Sequence, residues 1–312
     1  MSHLDYLNQN YPVRRTNEEK SRFRKYILEL VSSKTLDAKV ETTGDGKNEN
    51  IVIGDPMTAK VVCTAHYDTP AASLFPNIMI PRNQLLFYLY QFAPILLILA
   101  VSIGAALGIA IAMGFKGEAL MGPFLVIYLV LYYGLYFLLY RVFKNPNNYN
   151  DNTSGVAALL AMIDRLSDEQ RGKVAFILFD NEEKGKKGSK AYCKDHGDVM
   201  RTKFLVNFDC VANGENVIFI AMKEAEKRSE YTALRDAFEE NGEFRTHFFP
   251  MKGSQSNSDY KNFPCGVGCM ACRRTKSGVF YTPYIHTPRD KVANNENIQY
   301  IADCMSRFFA AV

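Results

Sequence analysis

Three polar clusters in this 312-residue chain each stand directly after a short apolar run: His66-Tyr67-Asp68, Asp180-Asn181-Glu182-Glu183, and Asp209. The runs are 60–65 (KVVCTA), 173–180 (KVAFILFD) and 204–209 (FLVNFD), and their composition predicts strands. In open α/β sheets, sites form outside the carboxyl ends of strands. Three strands that deliver His, Glu and Asp to one edge make the arrangement a metal site needs. Each cluster also has a plainer reading. A His-x-Asp is found as a surface pair, and a Glu-Glu pair as a solvated loop or the charged start of a helix. Asp209 could form the turn before Asn213-Gly214. Asp151 lies in a run that could simply cap a helix, and His286 could be an ordinary loop histidine. The case for chemistry rests on their combination and order.

The elements around these clusters alternate. A further strand is predicted over 216–221 (NVIFIA), and helical patterns over 154–166, 188–195, 225–240 and 295–310. Residues 17–33 (NEEKSRFRKYILELVSS) read as an amphipathic helix with Thr16 as its N-cap. This order predicts an α/β fold, three-layer αβα, with a mixed, mostly parallel central sheet. The polar run 144–152 (KNPNNYNDN) reads as a loop that re-enters the domain.

Two segments break this pattern. Residues 83–115 and 119–140 carry no charged side chain, and each exceeds the roughly 20 apolar residues that cross a hydrocarbon core. Only Lys116-Gly117-Glu118 bears charge between them, so the pair predicts a transmembrane hairpin. The domains expected are therefore a discontinuous catalytic domain, 1–82 and 144–312, and a hairpin, 83–143, in the lipid bilayer. Arg82, Arg141 and Lys144 flank the outer ends, against Lys116 in the turn. The positive-inside rule then predicts an integral protein of the plasma membrane with its catalytic domain in the cytoplasm.

Composition narrows the function classes. Apolar residues make up 47% and charged residues 22%, as in a folded domain. The net charge of +4 comes without a basic stripe, which argues against a nucleic-acid partner. Seven cysteines, an odd number, fit reduced thiols better than a disulfide framework. The first residues, MSHLDYLNQNYPVRR, contain no apolar stretch of the kind found in a secretory signal.

Six motifs now line up: AHYDTP at 65–70, NDNTSGVAALLAM at 150–162, FDNEEKGKKGSKAY at 179–192, NFDCVANG at 207–214, SDYKNF at 258–263 and IHTPRD at 285–290. In this order they resemble the co-catalytic dinuclear zinc exopeptidases of peptidase family M28, the group of bacterial secreted aminopeptidases and aminopeptidase Y. The resemblance spans about residues 15–312 apart from the hairpin. It implies two zinc ions per chain, peptide substrates and a site assembled motif by motif. His66 and Asp209 would bind the first zinc, Glu183 and His286 the second, and Asp151 would bridge them. Glu182 would be the general base, and Asp68 would orient His66 from behind. Such a centre holds and acidifies a water between its ions, Glu182 accepts that water's proton and passes it to the leaving amine.

This chain departs from the family pattern in two places. Several relatives carry Tyr before the last histidine as an oxyanion donor; here Ile285 stands there, with Tyr281 and Tyr284 nearby. The family's Ser-Asp-His reads Ser258-Asp259-Tyr260. Cys265, Cys269 and Cys272 have no fourth ligand nearby and are expected to be packed thiols rather than a zinc site. The expected function is a membrane-anchored zinc aminopeptidase. A glutaminyl cyclase-like acyltransferase, with one zinc and a Trp-lined pocket, is the alternative enzyme, although this chain has no Trp. A non-catalytic scaffold on a peptidase fold is the third reading, disfavoured because all five ligands and the base are present.

Overall fold

A computed structural model describes residues 1–34, 36–75, 77–239 and 242–312. In chain order the strands are β1 (Ala38–Thr43), β2 (Asn48–Ile53), β3 (Val61–His66), β4 (Ile78–Met79), β5 (Val174–Phe179), β6 (Phe204–Phe208), β7 (Asn216–Ala221), β8 (Arg245–Pro250), β9 (Gly266–Arg274) and β10 (Phe280–Pro283). They form one mixed sheet in the order β1-β2-β5-β3-β6-β9-β10-β4, with β7 between β9 and β8 off that path. Its centre, β5-β3-β6-β9, is parallel, as expected. β3, β5 and β6 are buried at every position, which is why they read as unbroken apolar runs.

The helices are α1 (His3–Asn10), α2 (Asn17–Ser32), α3 (Gln84–Ala112), α4 (Met121–Phe137), α5 (Gly155–Ile163), α6 (Lys187–Asp195), α7 (Gly197–Thr202), α8 (Ser229–Ala237) and α9 (Asn295–Ala311). The pattern read over 225–240 resolves into a short turn, Ala225–Lys227, followed by α8, and Glu240 lies outside the described residues. One face of the sheet packs on α1, α2, α5, α8 and α9 through Phe23, Leu159, Leu234 and Phe308. The other packs on α6 and α7 through Tyr192 and Met200 against Ile177 and Leu205. Each such buried side chain contributes roughly 1.5–3 kcal/mol. Thr16 caps α2 in a reciprocal box: its hydroxyl accepts the Glu19 N–H at 3.3 Å, and the Glu19 carboxylate accepts the Thr16 N–H at 2.9 Å.

Among the described residues, two helices are long and apolar enough to cross a membrane, Gln84–Ala112 and Gly117–Val142. The first helix buries a stripe of Ile98, Ser102, Ala106 and Ala110, one residue every fourth, and its three small side chains let the second helix approach closely. The outward faces display Leu96, Leu97, Val101, Val126 and Val130.

The base of this pair is tied to the domain. The Ala72 N–H donates to Phe143 O at 2.9 Å, and the Phe75 ring stacks on Tyr140 at 5.9 Å. On the entering side, Arg82 lies 4.3 Å over the Phe249 ring and donates to Ser254 Oγ at 2.8 Å.

Candidate metal centre

β5, β3 and β6 are neighbours, so their carboxyl ends bring three side-chain groups to one edge. His66 is the last residue of β3, Glu182 and Glu183 follow β5, and Asp209 follows β6. Asp151 arrives from the turn before α5. That turn is fastened to the exit of β6: Asn152 Oδ1 accepts the Cys210 N–H at 3.2 Å, Asn150 Oδ1 that of Ala212 at 2.9 Å, and Ser154 Oγ that of Val211 at 3.0 Å. Gly155 permits the approach, since a Cβ there would lie 2.3 Å from Phe208 O. His286 reaches in from the loop after β10 with a left-handed backbone, φ 57°; Asn181 and Cys210, beside Glu182 and Asp209, share that conformation. Non-glycine residues held there cost of order 1–3 kcal/mol each and gather at functional sites.

The two carboxylate oxygens of Asp151 face different histidines. Oδ1 lies 3.4 Å from His66 Nε2, and Oδ2 lies 2.9 Å from His286 Nε2. His66 Nε2 is also 3.8 Å from Asp209 Oδ1, and His286 Nε2 is 3.4 Å from Glu183 Oε1. All five residues expected as ligands are thus brought together as two triads that share Asp151. Donor atoms of His66, Asp151 and Glu183 also lie within 4.8 Å of one another, as do those of Asp151, Asp209 and Cys210. The first grouping crosses the two triads, which a single shared carboxylate allows. Glu183 Oε1 is buried with no hydrogen-bond partner. A buried orphan acceptor beside two imidazole nitrogens and three further carboxylate oxygens suits a cation, and the N/O donor set suits zinc.

Electrostatics agree with that fit. Burial alone would lower His66, but the surrounding carboxylates of Asp151, Asp209 and Asp68 outweigh it and hold the ring well above its usual value. Burial raises Glu183 to about 8. Glu182 is raised well above the carboxylate range, first by burial and then by the charges of Asp259, Glu183 and Asp209, against the opposing charge of His66. Asp259 is buried, accepts a hydrogen bond from Ser189, leaves its second oxygen without a partner and is pushed by burial to about 7.

Asp68 lies where the motif places it, but its carboxylate has another use. His66 Nδ1 is 3.1 Å from the Asp68 main-chain carbonyl and 3.6 Å from Oδ1, beyond hydrogen-bond reach. The carboxylate instead accepts the N–H groups of Glu182 at 3.0 Å and Glu183 at 3.2 Å.

Two further groups position the site, Asp290 from the IHTPRD motif and Arg14 from outside every motif. Asp290 accepts the N–H groups of Asn150 and Asp151 at 3.1 and 2.9 Å. Arg14 is fully buried, donates to Tyr67 O, Tyr11 O and Thr153 Oγ1, and sets a positive charge behind Asp68 and Asp151. Ile285 lines the cleft, whereas Tyr281 lines a separate cavity with Asn213 and Arg273. Cys269 and Cys272 pack into opposite faces of the sheet, so they share no ligand site. All seven cysteines are buried free thiols.

Residues 144–309 match Peptidase family M28. The chain belongs to that family. It is therefore a metallo-exopeptidase by family, and the family implies zinc. Solved structures show the same fold at low identity. *Legionella pneumophila* LapA aminopeptidase matches with a TM-score of 0.55 and 14% identity, over 98% of this chain and 69% of that one. A Zn-dependent exopeptidase from *Parabacteroides distasonis* matches with a TM-score of 0.57 and 15% identity, over 99% and 96%. *Porphyromonas gingivalis* glutaminyl cyclase matches with a TM-score of 0.56 and 11% identity, over 99% and 97%. No curated protein matches.

Proposed function

We propose that this M28 chain is a membrane-anchored aminopeptidase with two zinc ions per chain. The observation that carries the reading is Asp151, whose two oxygens face His66 and His286 separately while Glu182 stays outside both triads. His66, Asp209 and Asp151 would hold one ion, and Glu183, His286 and Asp151 the other. When bound, the ions polarise the scissile carbonyl and acidify the attacking water.

The protein's own residues supply the rest. Glu182 lines the same cleft as the five ligands without joining either triad, which suits it to take the water's proton and return it to the leaving amine. Asp68 holds the main chain of Glu182 and Glu183, Asp290 holds that of Asp151, and Arg14 offsets the gathered negative charge. A cleft of about 340 Å³ opens beside these groups, with Met79, Phe87, Met270 and Ile285 on its apolar wall. That wall suits an apolar N-terminal side chain.

Phe87 and Gln91 belong to α3, so the entering membrane helix forms part of the cleft. Residues 83–143 act as the anchor, 1–82 and 144–312 as the catalytic domain on the cytoplasmic side of the plasma membrane, and the site opens toward the bilayer surface. Peptides with free and with acetylated N-termini, assayed with the full chain and with Glu182→Gln, test the activity. The wild type should cleave only the free peptides, and the substitution should lower kcat by roughly 10²–10⁴-fold with zinc retained. Equal cleavage of acetylated peptides refutes aminopeptidase action, and undiminished turnover in Glu182→Gln removes it as the base.

A further inference from the structure

A second cavity, of about 240 Å³, lies on the other side of Glu183 and His286, which line both spaces. The two cavities are chemically unlike. The first has the apolar wall of Met79, Phe87, Met270 and Ile285. The second is lined by four cations, Arg15, Lys20, Arg141 and Lys184, with Tyr136 and Tyr140.

Lys20 is committed to Asp180 at 2.6 Å. Arg15 is fixed by donating to the main-chain carbonyl of Arg141 at 2.5 Å, which leaves its charge without a counter-ion. Among the described residues, Arg141 and Lys184 also form no ion pair. The acids on the cavity wall are already engaged: Asp68 accepts two main-chain N–H groups and shares its charge with Arg14 and Lys184, and Glu183 belongs to the metal centre. Three cations without a direct ion pair around one cavity favour an anionic oxygen group, and charge-assisted hydrogen bonds are the strong ones.

We infer that this cavity receives the free carboxylate of a short peptide whose N-terminal residue occupies the apolar cleft, with the scissile bond at the metal centre between them. The inference rests on the aminopeptidase reading and narrows it. The substrates are di- and tripeptides, in which a carboxylate lies within one or two residues of the bond that water cleaves. Tyr136, Tyr140 and Arg141 come from the end of the second membrane helix, so the hairpin supplies one side of this subsite as well as part of the apolar cleft.

The test uses the full chain in phosphatidylcholine nanodiscs with Leu-Ala, Leu-Ala amide and Leu-Ala-Ala-Ala-Ala. Leu-Ala should exceed its amide in kcat/KM by on the order of tenfold, the scale of one hydrogen bond to a charged group, with most of the difference in KM. The pentapeptide should fall with the amide. Arg141→Gln, and separately Lys184→Gln, which leaves the hairpin's own charges intact, should move the acid-to-amide ratio toward one.

Equal cleavage of acid and amide by the wild type, or an equal fall of both in the two variants, overturns the inference and leaves the aminopeptidase reading standing. Cleavage of none of the three overturns both. A ratio unmoved by the substitutions, with loss of preference for phosphatidylglycerol over phosphatidylcholine nanodiscs, assigns the cavity to a lipid headgroup and overturns the inference.

Discussion

At the residue scale, the site depends on groups that hold main chain as much as on those that face the metals. Asp68 spans 3.0 and 3.2 Å to the two amides that aim Glu182 and Glu183. Asn at this position can accept only one of those bonds through its oxygen. Asp68→Asn should therefore lower kcat and the affinity for one zinc by roughly 10–100-fold each, with the folded content unchanged. Isothermal titration with zinc after chelation, read beside kcat, checks this. A loss confined to the His66 ion would instead return Asp68 to the role of steering that histidine. The motifs made legible Asp68, Glu182 and the five side chains that converge beside them, because chemistry restricts those residue types. Asp290 stood in the last motif without a role and Arg14 lay outside every motif, because they act through backbone groups and through charge behind the site.

At the element scale, β3, β5, β6 and β7 followed from apolar runs and α2 from Thr16 with Glu19, whereas the buried β2 and β9 did not, because polar residues or glycines interrupt their runs. β1 and β8 escaped because they are half-exposed and lack clean alternation; β1 reads AKVETT and β8 reads RTHFFP. Glu19 does more than close the capping box. It also accepts from Lys144 at 2.7 Å, so it ties the start of α2 to the chain that leaves the hairpin.

Partial burial pushes Glu19 up, but Lys144 and the amides of Thr16 and Arg15 outweigh it and bring it down to about 2. A folded value below the unfolded one means that its contribution is present above the ordinary carboxylate range. It fades as pH falls, over the window from about pH 5 to pH 2. Glu19→Gln should cost about 1 kcal/mol at pH 7, and the gap to wild type should close as pH falls through that window. Lys144 is 56% exposed, so added salt should reduce the gap. Denaturation midpoints of both proteins at several pH values measure this, and a gap independent of pH would contradict it.

At the scale of the whole molecule, the apolar hairpin enters between Asp68 and Asp151, two groups that meet at the centre, and its base lines the cavities on both sides of Glu183 and His286. The proposed orientation places the turn at Lys116 on the far side of the bilayer from the catalytic domain. The seven native cysteines are all buried, so Lys116→Cys offers a single accessible thiol. A membrane-impermeant maleimide should label it in intact cells. Labelling only after permeabilisation would reverse the orientation.

The proposed two-ion centre underlies the proposed aminopeptidase activity, and its metal content tests it directly. Purified full chain saturated with zinc and freed of excess should hold two zinc ions by elemental analysis, and Asp151→Ala, which removes the shared carboxylate, should hold fewer than one. One tightly bound zinc per wild-type chain, unchanged by loss of His286, would contradict the account and favour the single-zinc cyclase chemistry.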